Sequence, residues 1–265
     1  MSSSIFSQEE IAIPKASNKG KIFFYWGWNR ASYSNSDISF KGENYDFTLQ
    51  DVVAKDRITQ FSFTDYINPL NITNPQTNFR IGYFLSDNYT VSIGFDHMKY
   101  VVQSYQTVNI NGQINAGTPF DGIYNNDPID LTNEFLLMEH TDGLNYVNVE
   151  VKRFDEIGHL IGMNDENLRL NLTEGIGAGF LYPRTDIKLF NQEARDEFQI
   201  SGWGVSLVAG LNLTFFKHFF VQSDLKYGYI NMPNIRTTAN PEDTAKQSFT
   251  FFEKTIVFGA RFNLF

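Results

Sequence analysis

Cysteine is missing altogether from the 265 residues, which excludes disulfide frameworks, thiolate zinc sites and cysteine nucleophiles. The chain also lacks any uninterrupted apolar run of about 18 residues, the least that a membrane-crossing helix needs. Basic charge is scarce: 21 Lys and Arg face 30 Asp and Glu, a net charge of −9. That balance argues against sequence-independent nucleic-acid binding, which requires neutralised phosphates. No segment carries a capped apolar stripe of helical period. What is present is 42% hydrophobic residues, enough to exclude a disordered chain, and an aromatic content of 26 Phe, 13 Tyr and 3 Trp. With a mean hydropathy of −0.29, any membrane-facing surface must be hidden in alternation.

Alternation is what the chain has. Phe79, Ile81, Tyr83 and Leu85 alternate with Arg80, Gly82 and Phe84, and Tyr89, Val91, Ile93 and Phe95 with Thr90, Ser92, Gly94 and Asp96. The longest run is Trp203 to Phe215, apolar at every second position. A period of two is the mark of strand. The second face is Gly-rich and carries both signs of charge, and the runs reach the roughly 9–11 residues of a tilted strand crossing hydrocarbon. Such strands must close into a barrel, because lipid offers backbone groups no hydrogen bonds.

The fold class expected is therefore all-β, a transmembrane antiparallel up-and-down barrel. Eight strands are placed near 21–34, 76–86, 89–101, 143–154, 168–182, 200–215, 219–231 and 249–265, with ten as the alternative if 57–67 is also strand. Connections alternate between short or moderate (86–88, 155–167, 216–218) and long (35–75, 102–142, 183–199, 232–248), with both termini on the short-turn side. This is the habit of outer-membrane barrels, with tight periplasmic turns and long extracellular loops. Residues 38–49 read as a hairpin, and Asn111-Gly112 as a type I′ turn. Residues 1–19 read either as the remnant of a signal peptide or as a disordered leader, and 20–265 as one barrel domain.

The final strand, Thr255 to Phe265, resembles the assembly signal of Gram-negative outer-membrane barrels, although Arg261 and Asn263 stand where that signal is usually apolar. With eight strands, 20–265 resembles the small barrels of OmpA, OmpX and OmpW type, in a form typical of Bacteroidota. The resemblance implies residence in the bacterial outer membrane. It also implies outer-membrane lipids and lipopolysaccharide as partners, the barrel-assembly machinery during biogenesis, and a place in a larger outer-membrane complex. Phe23, Phe24, Tyr25, Trp26 and Trp28 on the first strand, Phe215, Phe216, Phe219 and Phe220 around the third short turn, and Phe265 are the expected interface aromatics.

Chemistry is thinly signalled. His140 and Asp142 share parity just before the fourth strand, where a carboxylate could orient an imidazole in a lipid A-modifying barrel enzyme. No nucleophile elbow accompanies them, so a non-enzymatic structural, surface-interaction or accessory-subunit role is preferred. An OmpW-like channel for a small hydrophobic ligand is the other alternative. His97 is expected as a solvated rim histidine, with an outward position near lipopolysaccharide phosphates, beside Lys99, as the alternative. No metal-ligand spacing or cofactor motif is present. Arg80, Asp96, Glu150, Lys152, Arg169, Asp224, Lys226 and Arg261 all take the inner parity. In a bore just filled by side chains, mixed charges should pair, because an unpaired buried charge is costly.

Overall fold

The computed structural model describes residues 17–68, 74–163, 165, 167–192 and 195–263. The leader up to residue 16 and the interface aromatic Phe265 lie outside them. Eight long strands form the wall: β1 (Lys21–Tyr33), β5 (Thr77–Phe84), β6 (Tyr89–Val102), β9 (Leu136–Glu156), β10 (Leu168–Leu181), β13 (Gly202–Phe215), β14 (Phe219–Arg236) and β15 (Thr244–Asn263). The shorter strands β2 (Ser36–Gly42), β3 (Tyr45–Val52), β4 (Ala54–Lys55), β7 (Thr107–Ile114), β8 (Gly122–Asp130), β11 (Arg184–Leu189) and β12 (Arg195–Phe198) belong to the long loops, as does one helix, α1 (Phe63–Ile67).

Each wall strand pairs antiparallel with the next, and β1 pairs with β15, so the sheet closes on itself. A walk along paired residues, Phe23–Gly82–Ser92–Glu150–Gly177–Ser206–Gly228–Phe251, returns to β1 at Tyr33, ten residues beyond its start. That stagger gives a closed barrel of eight tilted strands, whose bore side chains fill. Eight, not ten, is the count in the wall. The segment at 57–67 contributes α1 instead of a strand, its N-terminus capped by the Ser62 hydroxyl accepting from the Asp65 amide.

The alternation reverses along the strands, and the reversal sets the barrel's levels. On β14, Leu225, Tyr227 and Tyr229 point out and are exposed, while Asp224 and Lys226 point in. One step higher the apolar residues are the inward ones: Ile230, Met232 and Ile235 are fully buried. On β9, Val149 and Val151 face out, whereas Leu136, Met138, Leu144 and Tyr146 face in. An apolar exterior over a polar interior suits lipid, and an apolar interior under a polar exterior suits water. The wall strands therefore run past the apolar belt, so β9, β14 and β15 extend beyond the predicted 143–154, 219–231 and 249–265.

Above the belt, β15, β2, β3, β7 and β8 continue the sheet, around a core that includes Ile38, Phe40, Phe47, Leu49 and Phe135. The expected 38–49 hairpin is β2–β3. The expected turn at Asn111-Gly112 is absent, because β7 runs straight through it, with a register shift at Ile110/Asn111 against β8. Gly112 has φ +123°, and a Cβ there would meet the Asp46 carbonyl at 2.2 Å, so its backbone conformation and a close strand approach explain this glycine.

Candidate functional site

The barrel interior collects most of the charges that parity assigned to it. Arg80 Nη2 lies 3.0 Å from Glu150 and 3.8 Å from Asp96. Lys152 Nζ lies 2.7 Å from Asp224 and 3.4 Å from Glu150. Lys226 Nζ contacts Asp96, lies 2.9 Å from Glu150 and 3.6 Å from Glu253. These side chains are at most 4% exposed. Neutral partners fill the remaining valences: Tyr25 accepts from Arg80 at 2.9 Å, Asn148 accepts from Arg80 at 2.7 Å and donates to Asp96 at 2.8 Å, and Asn78 donates to Asp96 and Glu253. Sequence reasoning misses Glu253 and Asn78, although the signal is there, since Glu253 has the parity of Arg261 and Asn78 that of Arg80.

Two layers close this ionic cluster from above and below. At the short-turn end Phe23, Phe84, Phe154 and Phe220 form an aromatic floor. Phe23, Tyr25 and Phe220 therefore belong to the bore, which corrects the expected place of all three in the interface belt. Arg261 stands with its guanidinium 5.5 Å from both the Phe84 and Phe220 rings and donates to Asn212 at 2.9 Å. Arg169 keeps the inner parity but is only half-buried, at the turn end outside the central cluster. The void between floor and charges measures about 10 Å³, room for roughly one water. At the loop end Tyr100 stacks on Phe249 at 4.8 Å, beside Tyr33, Tyr146 and Phe251.

Glycines make room for the charges. A Cβ on Gly94 would sit 2.5 Å from the Arg80 guanidinium, and one on Gly210 would sit 2.1 Å from Asp224 Oδ1.

The pair proposed for catalysis does not meet. His140 is fully buried in the apolar upper core, its Nδ1 3.1 Å from the Thr185 hydroxyl. Burial holds it neutral, with its pKa pushed down to about 3. Asp142 is exposed instead and accepts from Arg184, which also binds Asp196. A register irregularity between β6 and β9 at Met98/Tyr100 separates the two residues. Among the described residues no cluster of His, Asp or Glu is arranged to hold a metal ion.

On the outer surface Phe219 is exposed beside its turn, and Phe215 is half-exposed. Trp26 and Trp28 face out, edge to face at 5.1 Å, with Trp28 partly covered by Tyr66 of α1. His97, expected at a solvated rim or the lipid surface, and Lys99 are instead buried at 3% and 2%. His97 Nδ1 bonds Asn145 at 2.8 Å, and Lys99 donates to Asn74 of the first long loop, which covers this part of the wall.

No family model matches this sequence, and no curated protein matches it. Among solved structures, the chain is similar to the outer membrane protein OprG of Pseudomonas aeruginosa, at 14% identity over 94% of this chain and 99% of that one, with a TM-score of 0.44. It is also similar to Ail, the attachment invasion locus protein of Yersinia pestis, at 13% identity over 92% and 99%, TM-score 0.35. The outer membrane protease OmpT of Escherichia coli follows at 10% identity over 93% and 98%, TM-score 0.29. The barrel of this chain stands on its own closed strand pairing.

Proposed function

We propose that the protein is an integral barrel of the bacterial outer membrane whose interior is sealed, and that it serves without catalysis as a structural or surface-contact element. The even strand number, the apolar belt and the short turns on the side of both termini support that residence. Its assembly then falls to the barrel-assembly machinery, and its long structured loops offer the surface by which it would join a larger complex. The observation that carries the reading is the ionic cluster of Arg80, Lys152 and Lys226 with Asp96, Glu150, Asp224 and Glu253, enclosed by the Phe23–Phe84–Phe154–Phe220 floor and the Tyr100–Phe249 layer. Opening a water path would mean separating buried charges from one another, which costs several kcal/mol per ion. Purified protein in planar bilayers should give no steady conductance. A stable open level, as a porin shows, would overturn the proposal.

A further inference from the structure

We propose that the outer wall carries a site for the phosphate of an anionic membrane lipid, built from Arg30 on β1 and Lys254 on β15 and capped by α1. The inference rests on the membrane reading above and adds a ligand to it.

Arg30 and Lys254 are direct cross-strand partners on the lipid-facing side. Like charges set opposite each other repel, and at the edge of an apolar surface the repulsion is poorly screened. Among the described residues no carboxylate stands within 4 Å of either cation. Asp56, which accepts the Ala31 amide at 3.1 Å, is near enough to offset part of the Arg30 charge, and Arg30 also donates to the Asn29 carbonyl at 3.0 Å, so Lys254 is the cation left for a ligand. Glu253, the neighbour of Lys254, points inward to Lys226. What the two cations face is a groove of about 340 Å³, bounded also by Trp28, Tyr66 and Ile256.

The groove lies in the upper part of the belt, since Lys254 pairs with Leu225 on β14, below the exposed Tyr227 and Tyr229. Ile256 and Phe258 below Lys254 are exposed and apolar, and Lys254 reaches over the Phe252 ring at 5.7 Å. From there the long side chains of both cations reach up to the lipid headgroups, where each is worth about 1 kcal/mol toward an anionic lipid.

The cap supplies a second, independent observation. Arg30 donates to the Tyr66 hydroxyl, which fixes α1 against the wall. The same segment leaves Ile58, Phe61, Phe63 and Ile67 63–71% exposed. Four large apolar side chains beside a cationic groove suit insertion among acyl chains while a phosphate is held between Arg30 and Lys254.

The test uses the full chain refolded into phosphatidylcholine vesicles that contain acyl-brominated phosphatidylglycerol, compared with equally brominated phosphatidylcholine. In a Trp203→Phe background, which removes the third, also lipid-facing tryptophan, Trp26 and Trp28 report lipid contact by quenching. Wild type should prefer phosphatidylglycerol, by about fivefold for each cation engaged. Lys254→Glu, which leaves the Arg30–Tyr66 contact in place, should bring the preference close to one, and Lys254→Arg should keep it. Equal quenching of wild type by both lipids overturns the site. So does displacement of the lipid by millimolar inorganic phosphate, which would mark a small-anion site. Absence of quenching by either lipid would instead strike the membrane reading itself, and the site with it.

Discussion

Lys152 and Asp224 approach to 2.7 Å across the bore, from β9 and β14, two strands with β10 and β13 between them in the wall. The contact ties opposite walls together in a place with almost no water. Removing one partner of such a pair leaves the other buried and charged, at a cost of about 3–5 kcal/mol. Lys152→Met should therefore lower the urea midpoint of the refolded barrel strongly. Lys152→Met combined with Asp224→Leu should recover most of the loss. If the double variant is no better than the single one, the pair is not what holds the walls.

Gly94 tests the packing of the same cluster. Arg80 lies against its backbone, where a Cβ has 2.5 Å to the guanidinium. Gly94→Val should push Arg80 off Glu150 and destabilise by about 1–3 kcal/mol. Gly162, with nothing within 4 Å of a built Cβ but φ +74°, should lose less on becoming Asn, a residue that tolerates that conformation. Equal stability of Gly94→Val and wild type in urea titrations would show that the bore is looser than described.

His140 lies above the apolar belt and is held neutral by burial, its pKa pushed down to about 3. The unfolded chain takes up this proton near pH 6.5, and the folded chain does not until about 3. The stability linked to His140 is thus complete above about pH 6.5 and is lost as pH falls toward 3, by at most about 1.4 kcal/mol per pH unit. Between pH 7 and 5, wild type should lose more stability than His140→Phe. Identical pH slopes for the two proteins would place the imidazole in water.

The lipid A profile of cells carrying His140→Ala or Asp142→Ala should match wild type by mass spectrometry. Asp142 binds Arg184 at 2.5 Å and His140 faces Thr185, so no dyad exists to activate a nucleophile. A species lost in both variants would restore the enzymatic reading.

The wall was legible because lipid outside and charge inside write one strict alternation, and a slip of one residue would invert every side chain. Its upward extensions were not legible. At Tyr229/Ile230 the apolar parity changes face, and a reading that follows one apolar face ends the strand there. The inner charges followed from parity alone, but the His140–Asp142 pair failed because parity does not survive the register irregularity at Met98/Tyr100. Likewise Phe61, Phe63 and Ile67 imitate strand alternation, and only the Ser62 cap marks α1 as a helix.

The absence of cysteine allows the account to be tested with single introduced thiols. Nitroxides placed one at a time along 203–211, in protein refolded into vesicles, should alternate. Labels at 203, 205, 207, 209 and 211 should be mobile and relaxed by oxygen dissolved in lipid, and those at the inward, non-glycine positions 206 and 208 immobilised and shielded from it. Relaxation of both sets by a water-soluble nickel chelate, with no period of two, would contradict a lipid-facing wall around a filled interior.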